Sequence, residues 1–439
     1  MRLSILSLIL SLLAAAPVSA QKGQKWVTTW TASVQGPFPS GNSLAQPNLR
    51  FAFPAPATGA RDQTLRLIVQ PDLWGRQTRL RLSNVFGTKP VTFDGVFAGL
   101  QLSGCVIVTG TNRPVNFGGK PSVTVPPGES VWSDPVDLPF VKSAPQPELA
   151  GRKLAVSLHV VGESGPMTWH AKALATSYLT APGAGSKGQA TDESAFPFTT
   201  TSWYFLDALD MMAPAGTEVV VALGDSITDG TASTLNGDDR WPNVLSRRLH
   251  AAYGDRVSVV NAGIGGNQVI GPAEYSAQKP SSGGPAAQQR LDRDVLSLSG
   301  VSAVILFEGI NDLGRATNAS VDSIEAGMKD IVARIRSRVP GVRVIGATVV
   351  SAFGANGSHG SPEEDVKRKS INDFIRTGGL FDGVADFDKA TLDPQTGSLR
   401  PEFIPDSTIG GPGDKVHPNR AGYLAMGTSV DLKLLAPKR

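Results

Sequence analysis

The chain has one cysteine, Cys105, in 439 residues, so no internal disulfide can form. Stability must come from buried apolar area, and a chain of this length can bury a large core in two domains. Cys105 opens the run Cys-Val-Ile-Val, the setting of a buried structural thiol rather than a reactive one. Histidine is also scarce. The five residues are scattered and offer no zinc-ligand spacing. Charge of one sign is missing too: 41 Lys and Arg stand against 38 Asp and Glu, a net charge of +3. Without a basic run, nucleic acid is not an expected partner. Beyond the first twenty residues no stretch is apolar enough to span a membrane. No internal repeat occurs.

Residues 1–20 have the pattern of a secretory signal peptide. Arg2 supplies the positive start, Leu3 to Ala16 the apolar stretch, and Val18-Ser19-Ala20 the small residues at the cleavage positions. Cleavage after Ala20 would leave a secreted protein without stable membrane insertion. The sequons Asn318-Ala-Ser320 and Asn356-Gly-Ser358 matter only in a host that glycosylates.

Residues 21–180 read as β structure. Thr64–Gln70, Gln77–Ser83 and Lys153–Val160 alternate apolar and polar side chains, with turn signals at Gly75, Gly87, Gly118-Gly119 and Pro126-Pro127-Gly128. Short alternating strands with frequent turns predict a sandwich or jelly-roll-like domain. Residues 181–216, rich in Gly, Ser, Thr and Ala at their start, read as a linker. From 217 to 439 the pattern changes. Apolar β-branched runs at 218–223, 256–261, 301–307 and 342–350 alternate with helical patterns near 240–253, 321–338, 363–377 and 420–435. This predicts βαβ units and a parallel sheet with helices on both faces.

At the end of the first of these runs stands Gly224-Asp-Ser226. Alone, Asp225 and Ser226 could merely end a strand and cap a turn. Three further stretches point to chemistry. Acyl transfer to a serine needs a base, a group that orients the base, and donors for the oxyanion. His417 lies in Gly413-Asp-Lys-Val-His-Pro, and Asp414 three residues earlier can fold back on Nδ1, leaving Nε2 for a serine. Asn261-Ala-Gly-Ile-Gly-Gly-Asn267 brings glycines that let the backbone approach closely, so the Gly266 amide can face the site. Glu308-Gly-Ile-Asn-Asp312 adds the Asn311 side-chain amide, and the Ser226 amide would be a third donor.

In this order the four stretches resemble the four blocks of the SGNH, or GDSL, hydrolases: Gly-Asp-Ser at 224–226, Asn-x-Gly-x-x-Gly at 261–266, Gly-x-Asn-Asp at 309–312 and Asp-x-x-His-Pro at 414–418. Ile227 replaces the Leu of many members, a volume-conserving change. The resemblance implies a three-layer α/β/α, flavodoxin-like parallel sheet. It implies Ser226 as nucleophile, His417 as base oriented by Asp414, and Ser226, Gly266 and Asn311 as the oxyanion hole. No metal or organic cofactor is required. Trp26–Trp30 and Arg79–Gly87 look like the β-rich domain of a bacterial and fungal GDSL subgroup. Gly-x-Ser-x-Gly occurs nowhere, so the nucleophile elbow of the α/β-hydrolases is missing.

Other residues read as support. Asp225 fixes its loop through backbone amides, and Asn267 and Asp312 brace the oxyanion donors. Trp241 is core. His159 belongs to a surface, His250 to a helix end, and His359 to a solvated Gly/Ser loop. His170 is a surface or structural residue that could approach the site across the domain interface. Asp386 and Asp388 cap a strand end. The loops 271–285 and 353–362 are polar, which favours a small-molecule or polysaccharide ester with a short acyl group over a lipid. The alternatives are a lipolytic acylhydrolase for longer chains and a secreted carbohydrate-binding protein on an inert hydrolase scaffold.

Overall fold

The computed structural model describes residues 23–142, 146–315 and 317–438. The leader expected at 1–20 lies outside the described residues. The β region is built on β1 (Gln24–Thr31), β2 (Arg61–Val69), β3 (Gln77–Ser83), β4 (Val91–Ser103), β5 (Leu154–Glu163) and β6 (Leu206–Pro214). One antiparallel sheet runs β1, β6, β3 and Ser130–Trp132. The other runs Phe198–Thr200, Ser177–Leu179, β2, β5, β4 and Val106–Ile107. Alternation explains the burial: Leu65 and Leu67 of β2, Leu80 and Leu82 of β3, and Leu154, Val156 and Leu158 of β5 enter one core.

The linker expected over 181–216 is not one. Phe198–Thr200 is the edge of the second sheet, and β6 is an inner strand of the first, paired with both β1 and β3. Its sequence, Leu-Asp-Ala-Leu-Asp-Met-Met-Ala-Pro, hides a strand because both aspartates are internal. Asp207 meets Arg81 at 2.7 Å, and Asp210 meets Arg79 at 2.7 Å. The polar face of β3 is therefore a buried ionic seam and not a wet surface.

The second half follows the βαβ pattern. Its strands are β7 (Glu218–Gly224), β8 (Val257–Gly263), β9 (Val301–Phe307), β10 (Arg343–Ala347) and β11 (Gly383–Ala385). They form a parallel sheet in the order β8-β7-β9-β10-β11, so the chain moves one way from β7 to β8 and the other way from β7 to β9. Such a reversal opens a crevice at the carboxyl ends of the strands. The helices are α1 (Ser226–Asp229), α2 (Trp241–Tyr253), α3 (Ala287–Leu291), α4 (Ile310–Leu313), α5 (Val321–Arg338), α6 (Pro362–Thr377), α7 (Phe387–Thr391) and α8 (Arg420–Ser429). On one face, Val220, Ala222, Ile305 and Phe307 pack with Trp241, Leu245, Leu249, Tyr423 and Met426. On the other, Val219, Val221, Val304 and Leu306 pack with Leu291, Ile324, Ile331 and Ile371. The second of these cores continues without a break into the β region.

The two halves are joined along β1 and β3. Thr28 N–H donates to Ser299 O at 2.9 Å, and Ser258 Oγ donates to Thr28 O at 3.0 Å. Arg81 also reaches Ser297 Oγ at 2.7 Å. Two expectations need correction. His159 is 5 % exposed and lies between Asp94 at 2.5 Å and Asp62 at 3.0 Å, because these side chains on the neighbouring strands β4 and β2 close over its outward-facing position. The last helix stops at Ser429, and a separate short turn follows at Leu432–Leu435.

Candidate active site

β7 ends at Gly224, a glycine because a side chain there has no room. A Cβ would lie 2.1 Å from Thr228 Oγ1 and 2.7 Å from Phe307 O. Asp225 then caps α1, its Oδ1 accepting from Ile227 N–H at 2.9 Å. Ser226 becomes the first residue of a one-turn helix at the carboxyl edge of the sheet. It is 6 % exposed, and its Oγ lies 2.7 Å from His417 Nε2.

His417 arrives on the loop before α8. Asp414 Oδ1 accepts from the amides of Val416 and His417, both at 2.9 Å, which folds the loop back on itself. Asp414 Oδ2 then meets His417 Nδ1 at 2.5 Å. Burial opposes ionisation of Asp414. The hydrogen bond and charge of His417, with the two amides, outweigh it and hold the carboxyl well below the usual range. Ser226, His417 and Asp414 thus form one hydrogen-bonded chain.

Gly266 and Asn311 enter from the loops after β8 and β9. Gly266 has φ +83°, in the left-handed region that glycine tolerates. Among the described residues, neither the Ser226 N–H nor the Gly266 N–H has an acceptor. Asn311 begins α4 with Ile310, and its Nδ2 donates one hydrogen to Asn267 O at 2.8 Å, leaving the other. Asn267 and Asp312 bond to the backbone around these loops. Asn267 Nδ2 donates to Gly283 O and Pro285 O, both at 2.7 Å. Asp312 accepts from Val269 N–H at 2.9 Å and Ile270 N–H at 3.2 Å. Burial pushes its carboxyl up to about 6.

Several neighbours of the site were not legible. Arg290, 1 % exposed on α3, donates to Gly224 O, Ala262 O and Asn267 Oδ1, and lies 3.4 Å from Glu308. It ties the serine, glycine and asparagine stretches together from behind. A lone Arg in a five-residue helix gives no signal of this. Burial, then the charge of Asp225, raises Glu308 well above the ordinary carboxylate value. His359 is half-buried rather than free in a solvated loop. Its Nε2 lies 3.3 Å from Asn311 Oδ1 and holds that amide's orientation. Burial first, and His417 second, lower its pKa.

The β region also reaches the site. His170 Nε2 lies 3.1 Å from Asp229 Oδ1 on α1, so of the roles considered for it the interfacial, structural one is realised. Lys172, 5 % exposed, places Nζ 2.5 Å from Thr231 Oγ1, and burial lowers its pKa. Away from the site, Asp386 caps α7, and with Asp388 it pairs with Arg376. His250 ends α2 between Asp72 and Asp255.

Residues 222–425 match the model of the GDSL-like Lipase/Acylhydrolase family. No curated protein matches the chain. Among solved structures, the chain is similar to a carbohydrate acetylesterase from Sinorhizobium meliloti. That similarity has 16 % identity, 48 % coverage of this chain, 95 % of the other and a TM-score of 0.35. A lipase/acylhydrolase from Enterococcus faecalis gives 21 %, 51 %, 100 % and 0.38 on the same measures. An aryl esterase from M. smegmatis gives 15 %, 48 %, 96 % and 0.37.

Proposed function

From the membership of residues 222–425 in the GDSL-like lipase/acylhydrolase family, which makes the protein a carboxylic ester hydrolase, we propose that it is a secreted serine esterase acting through Ser226 on short-chain esters, acetyl above all, carried by carbohydrate. The observation that carries the serine mechanism is the chain Asp414–His417–Ser226, at 2.5 and 2.7 Å.

In this mechanism Ser226 Oγ attacks the ester carbonyl while His417 Nε2 takes its proton. The ionised Asp414 holds the imidazole and stabilises its charged form. The Ser226 and Gly266 amides and the Asn311 side chain receive the developing oxyanion. The protonated His417 then gives its proton to the leaving alcohol. Water, deprotonated by the same imidazole, releases the acid from the acyl-enzyme.

Polarity around the serine supports a short acyl group on a hydroxyl-rich carrier. Asn42, Lys172, Thr231, Asn311 and His359 surround the loops of the site. An amphipathic apolar lid, which an interfacial lipase would use, is not apparent in the polar stretches 271–285 and 353–362.

Rates on p-nitrophenyl esters of increasing chain length, beside acetate release from acetylated xylan, test the substrate. Preference for acetyl and release from xylan are expected, and a preference for long chains overturns this reading. A fluorophosphonate should label Ser226, and absence of the adduct removes the serine mechanism. Export is tested by the amino terminus of the protein recovered from medium, expected at Gln21.

A further inference from the structure

The Gly266 N–H belongs to the peptide that joins Gly265 to Gly266. Glycine on both sides leaves that peptide free to rotate through conformations closed to other residues. An oxyanion donor must be fixed before the reaction to be of use. The neighbouring peptides have their own anchors. Gly265 N–H donates to Asp229 Oδ2 at 2.8 Å, which fixes the peptide before. Asn267 N–H donates to Ile264 O at 3.1 Å, which fixes the one after.

The middle peptide is held from the β region. Asn42 Nδ2 donates to Gly265 O at 2.9 Å, and among the described residues no other group donates to that carbonyl. The contact is close: a Cβ at Gly266 would lie 2.7 Å from Asn42 Nδ2. The same Nδ2 lies 3.4 Å from Ser282 O, where the 271–285 loop returns to the site. In a trans peptide the C=O and N–H point in opposite directions. A donor on the carbonyl therefore aims the N–H the other way, and it also polarises that N–H.

We infer that Asn42 is a positioning residue for ester hydrolysis, its amide setting the plane of the Gly265–Gly266 peptide so that the Gly266 N–H faces the oxyanion. The β region is then part of the catalytic apparatus, since one of the donors is aimed from 223 residues away in the sequence. Asn42 is only half-buried, so its replacement opens no core. The inference rests on the Ser226 mechanism above.

The test compares wild type with Asn42→Ala and Asn42→Asp in the full exported chain. kcat and KM are measured on p-nitrophenyl acetate, with the rate of Ser226 phosphorylation by diethyl p-nitrophenyl phosphate and the thermal midpoint. Asn42→Ala is expected to lower kcat about 10- to 100-fold, somewhat less than loss of a donor itself. KM should stay unchanged and phosphorylation should slow in parallel. Asn42→Asp should lose more, because a carboxylate cannot donate to Gly265 O and repels it. Asn42→Ser, which keeps a short donor, should recover part of the rate, and it decides the matter on the same readout if the Ala variant does not fold. Unchanged kcat in the folded variants, or a rise in KM alone, overturns the inference. Failure of the reading beneath it looks different: turnover would survive in Ser226→Ala.

Discussion

Asp225 serves α1 and costs the fold at the same time. Its Oδ1 caps the helix that presents Ser226, yet burial, opposed by the Ile227 amide, pushes its carboxyl up to about 7. An unfolded aspartate titrates near pH 4. Between about pH 4 and 7 the folded state therefore keeps a proton that the unfolded state has lost, and stability falls as pH rises through that window. Asparagine keeps the capping oxygen and does not titrate. Asp225→Asn should raise the thermal midpoint at pH 8, with the gain shrinking towards pH 4.5. A gain of equal size at both pH values would show that the carboxyl is not the cause. Asn311 offers a second prediction at this scale. Asn311→Ala should lower kcat about 10²–10³-fold, the effect of one oxyanion donor. Full kcat in that variant removes Asn311 from the oxyanion hole. Ser226, His417, Asp414, Gly266 and Asn311 were legible because each sits in a short stretch whose spacing carries its chemistry. Asn42, Lys172 and Arg290 were not, because their partners come from other elements and no local pattern records them.

Among the elements, those with a full period and clear ends could be read from the sequence. The helix expected at 321–338 is α5 at the same limits, and the one expected at 363–377 is α6 from Pro362. The start of α6 shows why. Ser361 Oγ accepts from Glu364 N–H at 3.2 Å, and Glu364 Oε2 accepts from Ser361 N–H at 2.9 Å, with proline in the first turn. This reciprocal cap satisfies two amides that the helix itself leaves open. Ser361→Ala should lower stability by about 1 kcal/mol. Urea midpoints at a common slope would measure it, and no change in midpoint would mean that water replaces the hydroxyl without loss. Four elements of three to five residues were not legible: α1, α3, α7 and β11 are too short to show a period. The strand β6 failed for another reason. Periodicity assumes that an aspartate faces water, and Asp207 and Asp210 face arginines.

At the scale of the whole molecule, the change of pattern across residues 181–216 suggested two bodies and a tether. The contacts describe one body. A single buried cluster runs from Val27 and Leu65 through Leu209 to Val219, Val304 and Ile371, so unfolding either half would expose apolar area of the other. The polar links cross the same boundary. Arg290 on α3 reaches Ser33 Oγ at 3.2 Å, Arg293 reaches Val34 O at 2.9 Å, and His170 reaches Asp229. Breaking the halves apart would separate Asp229 from His170 and take from Arg81, Arg290 and Arg293 their acceptors on the other half, and a buried polar group left without its partner is destabilising. Two independent domains would melt in separate steps. A shared core predicts one calorimetric transition, with the calorimetric enthalpy equal to the van't Hoff value. Activity should vanish along the same curve, because the serine loops take their supports from both halves. A first transition that unfolds the β strands while esterase activity persists would show that the catalytic half stands alone and that Asn42 is dispensable to it.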